Sequence, residues 1–348
     1  MQSSVTDAVR AAVSRQDSVG GLFATAEALT KSDVASLRLP SGVAEAAKHI
    51  LGLRTNASQI TGDQLVQAVR TSGVMSEARL VAEAMAAKGQ VGASEQASAL
   101  AGGSTLSGQA SLSPLPITAD LKLATLVLRN LLASWGSVSE SEEALARTMD
   151  GRPVPPRKGA PPSAQPPGRV VLPPGVGAET IMRALFEQSE KALSRIRLSQ
   201  VASLPEREDP GSTRAGAAPG QYLTTELPLL VGKDTRILHM DIERDATSPD
   251  RPNEERGVVI RFSIDLGESG PIHAHLRYAY EKLTVRVWAE QEHTALALDQ
   301  HKSELAAALS AQGLAVDDMQ MKPGKPAAAD YVADPNVGPT HQPVDTSA

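Results

Sequence analysis

Cysteine is absent from the 348 residues, which excludes disulfides, thiol catalysis and cysteine-ligated metal sites. The absence suits a cytoplasmic chain. It suits equally a chain that passes unfolded through a narrow conduit, where a cross-link would jam. Aromatic residues make up only 3%, against 24 Pro and 27 Gly. Aromatic side chains bury the most area each, so one large core is not expected. One or two small modules separated by disorder are expected instead. Basic charge is also lacking: the formal net charge is −6 and the pI about 5.7, without the positive field that nucleic-acid binding needs. No run approaches the roughly 18 apolar residues of a membrane span. The start, Met1 to Asp7, has neither a basic segment nor an apolar one. Neither membrane insertion nor a cleaved signal peptide is therefore expected.

What is present is one strongly patterned block, Val258 to Met321. Val258, Ile260, Phe262, Ile264 and Leu266 alternate with Val259, Arg261, Ser263 and Asp265 at the period of a half-buried strand. After the turn residues 267–271, Ile272, Ala274, Leu276, Tyr278 and Tyr280 repeat the alternation. Leu283, Val285 and Val287 repeat it again beyond a tight Glu281-Lys282 connection. A helix over 294–311, Gly313 as its C′ residue and a short strand ending at Met319 and Met321 complete the block. Upstream, Leu227–Val231 and Arg236–Glu243 predict a hairpin around Gly232–Asp234, with Leu238, Met240 and Ile242 on one face. A helix over 179–204 precedes it, with Ile181, Leu185, Ala192, Ile196 and Val201 at helical spacing and Pro205 as its stop.

These patterns predict an α+β protein. A small C-terminal module of about five or six strands and one or two helices follows a largely helical and disordered N-terminal half. Residues 1–40 read as disordered or partly helical, with Val5, Val9 and Val13 spaced helically but no clear core face. Residues 41–135 read as a small helical region with an internal loop near 89–116. Val43, Ala47, Ile50 and Leu51 fit one stripe there, and Leu65, Val69 and Val66 another. Ser76 to Val81 lies on a third helix, and Asp120 opens a further one at the favourable end of its dipole. Residues 136–176 read as a linker whose dense prolines, 151–168, make it extended and semi-rigid. A spacer is the favoured reading over a PxxP ligand. The C-terminal module spans 177–321, with its α+β core at 222–321. Exposed polar loops are expected at 206–220 and 246–256, and a disordered tail at 322–348.

Candidate chemistry is sparse. His273 and His275 share one strand face, a spacing that zinc sites use. Arg277 shares that face, and no carboxylate or third histidine stands at an obvious spacing, so a solvated or partner-facing surface is expected rather than a metal site. The glycines from Gly102 to Gly108 lack a lysine and a leading strand for a phosphate loop. No nucleophile elbow or carboxylate pair stands out, and Asp245, Asp250, Glu254 and Glu255 read as a solvated loop. Neither a catalytic site nor a cofactor is expected. Trp288 reads two ways, as an exposed partner anchor or as a lid on a small core.

Three stretches resemble the flagellar hook-length control (FliK) family. They are Ala192–Leu204, Glu226–Leu230 with Ile237–Glu243, and Phe262–Ile272 with Leu283–Val287 and Leu305–Leu314. Ser72–Leu80 and Asp120–Ala124 are similar to phrases in the N-terminal regions of some relatives. Ser269-Gly270 stands where the family usually has Leu-Gly before the second strand, and Lys302 and Glu304 stand where relatives often have more apolar or arginine-rich helix character. The resemblance implies an exported monomer that acts in bacterial flagellum biogenesis through the flagellar type III apparatus. Its N-terminal part would sense hook length beside hook or hook-cap proteins. Its C-terminal domain would bind the export-gate switch protein and change substrate specificity. About 200 extended residues reach at most roughly 700 Å. Partner contacts are expected on the edge and loops of the 258–321 module, at Leu266, Gly270, Pro271, Leu283, Val285, Val287, Trp288, Leu305 and Leu314. The contrasting expectation is a non-exported cytoplasmic scaffold with a protein-binding α+β module.

Overall fold

The computed structural model describes residues 2–31, 41–81, 85, 120–134, 152–168, 170, 177–204, 221–245, 257–327 and 330. The predicted loops at 89–116, 206–220 and 246–256 lie wholly or largely outside these residues, as does the tail beyond 330.

Seven strands form one sheet in chain order: β1 (Thr55–Asn56), β2 (Gln221–Val231), β3 (Asp234–Arg244), β4 (Val258–Asp265), β5 (Pro271–Ala279), β6 (Lys282–Ala289) and β7 (Ala315–Pro323). The strands β2 to β6 pair antiparallel, while β1 and β7 pair in parallel at the two edges. Six strands belong to the C-terminal module. The seventh, β1, is contributed by the N-terminal half, where Thr55 pairs with Leu229. Two turns decide the hairpins. Gly232 takes φ 62 between β2 and β3, a conformation that glycine adopts without steric cost. The β5–β6 turn is Tyr280-Glu281, one residue earlier than its sequence suggests, with φ of 53 and 60. Both residues occupy the left-handed region that favours Asn-Gly.

Five helices form a body beside the sheet: α1 (Gln2–Arg15), α2 (Gly20–Lys31), α3 (Ser41–Gly52), α5 (Leu121–Ser134) and α6 (Ala178–Ala202). Their core joins Leu22, Phe23 and Leu29 to Val43, Ile50, Leu128, Leu185 and Ile196. Ile237 of β3 belongs to the same cluster. Small residues replace aromatic bulk by allowing close approach. A Cβ on Gly168 would lie 2.2 Å from the Gly20 carbonyl oxygen. Asp120 caps α5, accepting from the Lys122 amide at 2.9 Å.

Three shorter helices flank the sheet: α4 (Gly62–Thr71), α7 (Glu292–Gln300) and α8 (Lys302–Ala311). A capping box of Thr61 and Gln64 starts α4. Val66 points outward from it, 50% exposed, contrary to its expected inward place. Val201 of α6 is likewise exposed. The single helix expected over 294–311 is two, broken at His301. Gly313, at φ 80, ends α8: its amide donates to Ser310 O and that of Leu314 to Leu309 O. That pattern is a Schellman motif. β7 continues to Pro323, beyond the expected start of the tail.

The proline-rich segment departs most from expectation. Residues 152–168 form no helix or strand, as expected, yet they do not hold two halves apart. They lie as a strap against the sheet and the helical body, with Pro156, Pro162 and Gln165 buried. Prolines need no partner for a backbone N–H, so such a segment tolerates burial where carbonyl acceptors are met.

Candidate functional site: the two faces of the sheet

Strand alternation gives the sheet one apolar and one polar face, and each is covered differently. On the apolar face, Leu227, Leu229, Leu238, Met240 and Ile264 pack beneath Ala57 and beneath Leu65, Ala68 and Val69 of α4. At the other end, Leu283, Val285 and Met319 pack beneath Ala306 and Leu309 of α8 and Leu314. Between the two lids runs a cross-strand row in register, Leu223–Ile242–Ile260–Leu276–Val285. Its middle members, Ile242, Ile260 and Leu276, are only half-buried. The row opens at its first end into a groove of about 620 Å³ lined by Val74, Met75, Ala78, Leu204, Leu223 and Ile242, among others. Met75 and Leu204 are exposed on its walls, as is Tyr278 on the next row of the sheet.

This arrangement revises the expected partner contacts. Leu283, Val285 and Trp288 are buried, the first two in the core under α8. Trp288 lies on the polar face, where Lys322 Nζ stands 5.7 Å from its ring centroid. It is thus buried in the polar layer and is not an exposed anchor. Val287 and Leu314 are half-buried beside the α8 cluster. Leu266 and Pro271 are half-buried at the β4–β5 turn, and Gly270 is buried there at φ 71. A Cβ on Gly270 would meet Gln291 Cγ at 2.5 Å, so that glycine serves the close approach of the α7 entry. Leu305, 39% exposed on α8, is the one member of the expected set that presents a free apolar surface.

The polar face is the larger surprise. His273 and His275, expected on a solvated or partner-facing surface, are both buried. Beside them the strap contacts Glu226, His239 and Ser263, and α6 contacts Glu226; Asp241 and Arg261 are buried in the same layer. His239, Ser263, His273 and Trp288 stand in one cross-strand row. Ser263 Oγ donates to Pro162 O at 2.9 Å and lies 2.7 Å from His273 Nδ1. His273 Nε2 lies 2.9 Å from Glu290. This resembles a nucleophile chain, but the Ser263 hydroxyl is fully buried beneath the strap and so closed to a substrate. Among the described residues, no group of three or more His, Cys, Asp or Glu side chains could hold a metal ion.

Arg195 of α6 is the hub of this layer, and its side chain is fully buried. Its Nε donates to Glu226 Oε1 at 2.8 Å, and its Nη1 donates to Gln16 Oε1 at 2.6 Å and Val154 O at 2.7 Å. One guanidinium therefore ties α6 to β2, to the end of α1 and to the strap. Gln165 adds an amide hydrogen bond to the same Glu226 oxygen. Burial pushes the Glu226 carboxyl upward, but the Arg195 charge and the hydrogen bonds from Arg195 and Gln165 outweigh it and hold the pKa below the usual value. Burial lowers the pKa of His239, keeping it neutral, as its Nδ1 must be to accept from the Ser163 amide at 3.1 Å. Burial raises Asp241, and burial with the Asp241 charge raises Tyr222 to about 12. His275 falls to about 4 through burial and the charges of Arg261, Arg286 and Arg277.

Sequence reasoning missed this layer because its members are far apart in the chain. Arg195 and Glu226 are separated by 31 residues, and Pro162 and Ser263 by 101. The available signal was the polar alternation Glu226, His239, Asp241 and Ser263 on strands that should otherwise face a core.

Comparison with curated proteins and with solved structures gives no match. Residues 252–330 match the family model described as Flagellar hook-length control protein FliK. Among the described residues the match holds β4 through β7 with α7 and α8, the antiparallel centre of the sheet and the helical lid on its far end. In that C-terminal region the chain is similar to the flagellar hook-length control family.

Proposed function

We propose that the chain controls flagellar hook length as an exported protein, and that its C-terminal module binds the type III export gate to change substrate class. The observation that carries this reading is the match over 252–330 to the hook-length control family. The geometry supplies a contact surface for it. A half-buried apolar row, Ile242, Ile260 and Leu276, lies open between two helical lids and is bordered by exposed Tyr278, while Leu305 is exposed on α8. Rows of this kind suit a partner that lays an apolar edge across a sheet, where complementarity rather than a deep pocket gives specificity. The partner work is binding, so no catalytic group is assigned.

A deletion strain tests the reading. Hooks should lengthen without control, filaments should be missing, and the wild-type protein should appear in the culture medium. Normal hooks with normal filaments would sink the proposal. Retention in the cell within stable complexes would favour the cytoplasmic scaffold. In the complemented strain, Tyr278→Asp with Leu305→Asp should block the switch to filament subunits while secretion of the protein continues. Loss of secretion with the switch intact would reverse the roles assigned to the two halves.

A further inference from the structure

We propose that the polar face of the sheet is a binding groove for a proline-bearing peptide. Residues 152–167 occupy it in cis, and a partner segment of the same chemistry enters in trans when this strap lifts.

The groove recognises backbone more than side chains. The carbonyls of Pro153, Val154 and Pro162 each accept from a buried or largely buried side chain: Gln16 Nε2 at 2.8 Å, Arg195 Nη1 at 2.7 Å and Ser263 Oγ at 2.9 Å. The Ser163 amide donates to His239 Nδ1. Three residues after Pro162, Gln165 places its amide on Glu226. Five donors or acceptors from the end of α1, α6, β2, β3 and β4 thus converge on two arms of the strap, joined by a turn in which the Ala160 amide donates to Arg157 O and Gly159 takes φ 73, and proline suits the arms on two counts. It has no N–H to satisfy, and its fixed φ keeps the peptide extended before binding, which reduces the ordering cost. A ligand would be an extended chain with a proline carbonyl over Ser263 and a glutamine three residues later.

The same contacts make the strap removable. It forms no ladder with the sheet; its neutral hydrogen bonds contribute on the order of 1 kcal/mol net each, and the two to the Arg195 guanidinium and the Glu226 carboxylate about 1.5–3 kcal/mol each. The described strap joins neither of the sheet's apolar clusters. Beneath it, no described protein group hydrogen-bonds with Glu226 Oε2 or His239 Nε2. A face of buried charge is better suited to exposure than a face of leucine, since its groups are well solvated once uncovered. Tethering gives the strap an effective concentration on the order of millimolar, so a free peptide competes poorly while the strap is intact.

The test uses the full chain with residues 152–167 replaced by an equal length of Gly and Ser, and a fluorescent peptide of residues 151–168. Anisotropy should show saturable binding to the replaced chain at least about tenfold tighter than to the unaltered one. Gln165→Ala or Pro162→Ala in the peptide, or Ser263→Ala in the replaced chain, should weaken it severalfold. A replaced chain that folds cooperatively yet binds no peptide overturns the proposal, as does equal binding by both chains. Should the replaced chain fail to fold, hydrogen exchange in the unaltered chain decides. The Ser163 amide should exchange at least about a hundredfold faster than amides of β4 and β5, through local opening. Exchange at the same rate as those strands would mean that the strap leaves only on global unfolding, and would overturn the proposal.

Discussion

The two faces of one sheet are buried by opposite physics. The apolar face is covered at both ends by short helices through Leu65, Val69, Leu309 and Leu314, and is left half-open in its middle. The polar face is covered by α6 and a proline strap that meet it through an ion pair, hydrogen bonds and neutral histidines. Apolar burial is non-directional and survives small shifts of the lid. A buried ion pair is directional and fails when either partner moves. The contrast assigns the faces different work: one offers a contact surface and the other a seam.

The largest effect should come from breaking the seam at its hub. Arg195→Ala leaves the Glu226 carboxylate buried and unpaired, and should cost about 3–5 kcal/mol in urea unfolding. Replacing both partners, as Arg195→Met with Glu226→Leu, should recover most of that loss. If the single change proves neutral, the polar face is not held as described. On the apolar face, Leu227→Ala removes a fully buried side chain and should cost about 3 kcal/mol through lost transfer energy and a cavity. No second substitution of similar simplicity should rescue it, because a cavity has no partner to delete.

Acid should separate the faces further. The pKa of His275 lies at about 4, below its ordinary 6.5, so the folded state favours the neutral ring. Above 6.5 the histidine is neutral whether the chain is folded or not. As pH falls from 6.5 toward 4, the unfolded chain takes up a proton that the folded one refuses, and stability drops. Urea midpoints measured across this range should fall, and His275→Gln should flatten the fall. His239 and His273, also lowered mainly by burial, add to the same trend, so a slope unchanged by His275→Gln would assign it to them. The smallest effect belongs to neither face. Tyr280→Asn with Glu281→Gly suits the positive φ of that turn and should raise stability by about 1 kcal/mol. Unchanged or lower stability would show that the turn carries no strain to relieve.

Much of the fold was legible in particular residues. The alternation of Val258 to Leu266 and Ile272 to Tyr278 marked β4 and β5, and Gly313 marked the end of α8. Val43, Ala47 and Ile50 marked a buried helical face. These signals are local, since period and turn chemistry are written in neighbouring residues. Trp288 and Leu283 were not legible as buried, because alternation says which residues share a face and not what covers it. The break at His301 was hidden too, for its flanking residues are all compatible with a continuous helix.

The sequence by itself determined the strands, most helices, the absence of cysteine chemistry and the resemblance to the hook-length control family. All of these rest on residue type and short-range spacing. Only the tertiary structure decided that the proline-rich segment is a strap rather than a spacer, that β1 extends the C-terminal sheet and that Arg195 meets Glu226. It also turned the histidine pair inward. The reason is physical: burial and ion pairing between distant residues depend on which surfaces come together, and the local pattern that makes a strand leaves both of its faces open until something is laid upon them.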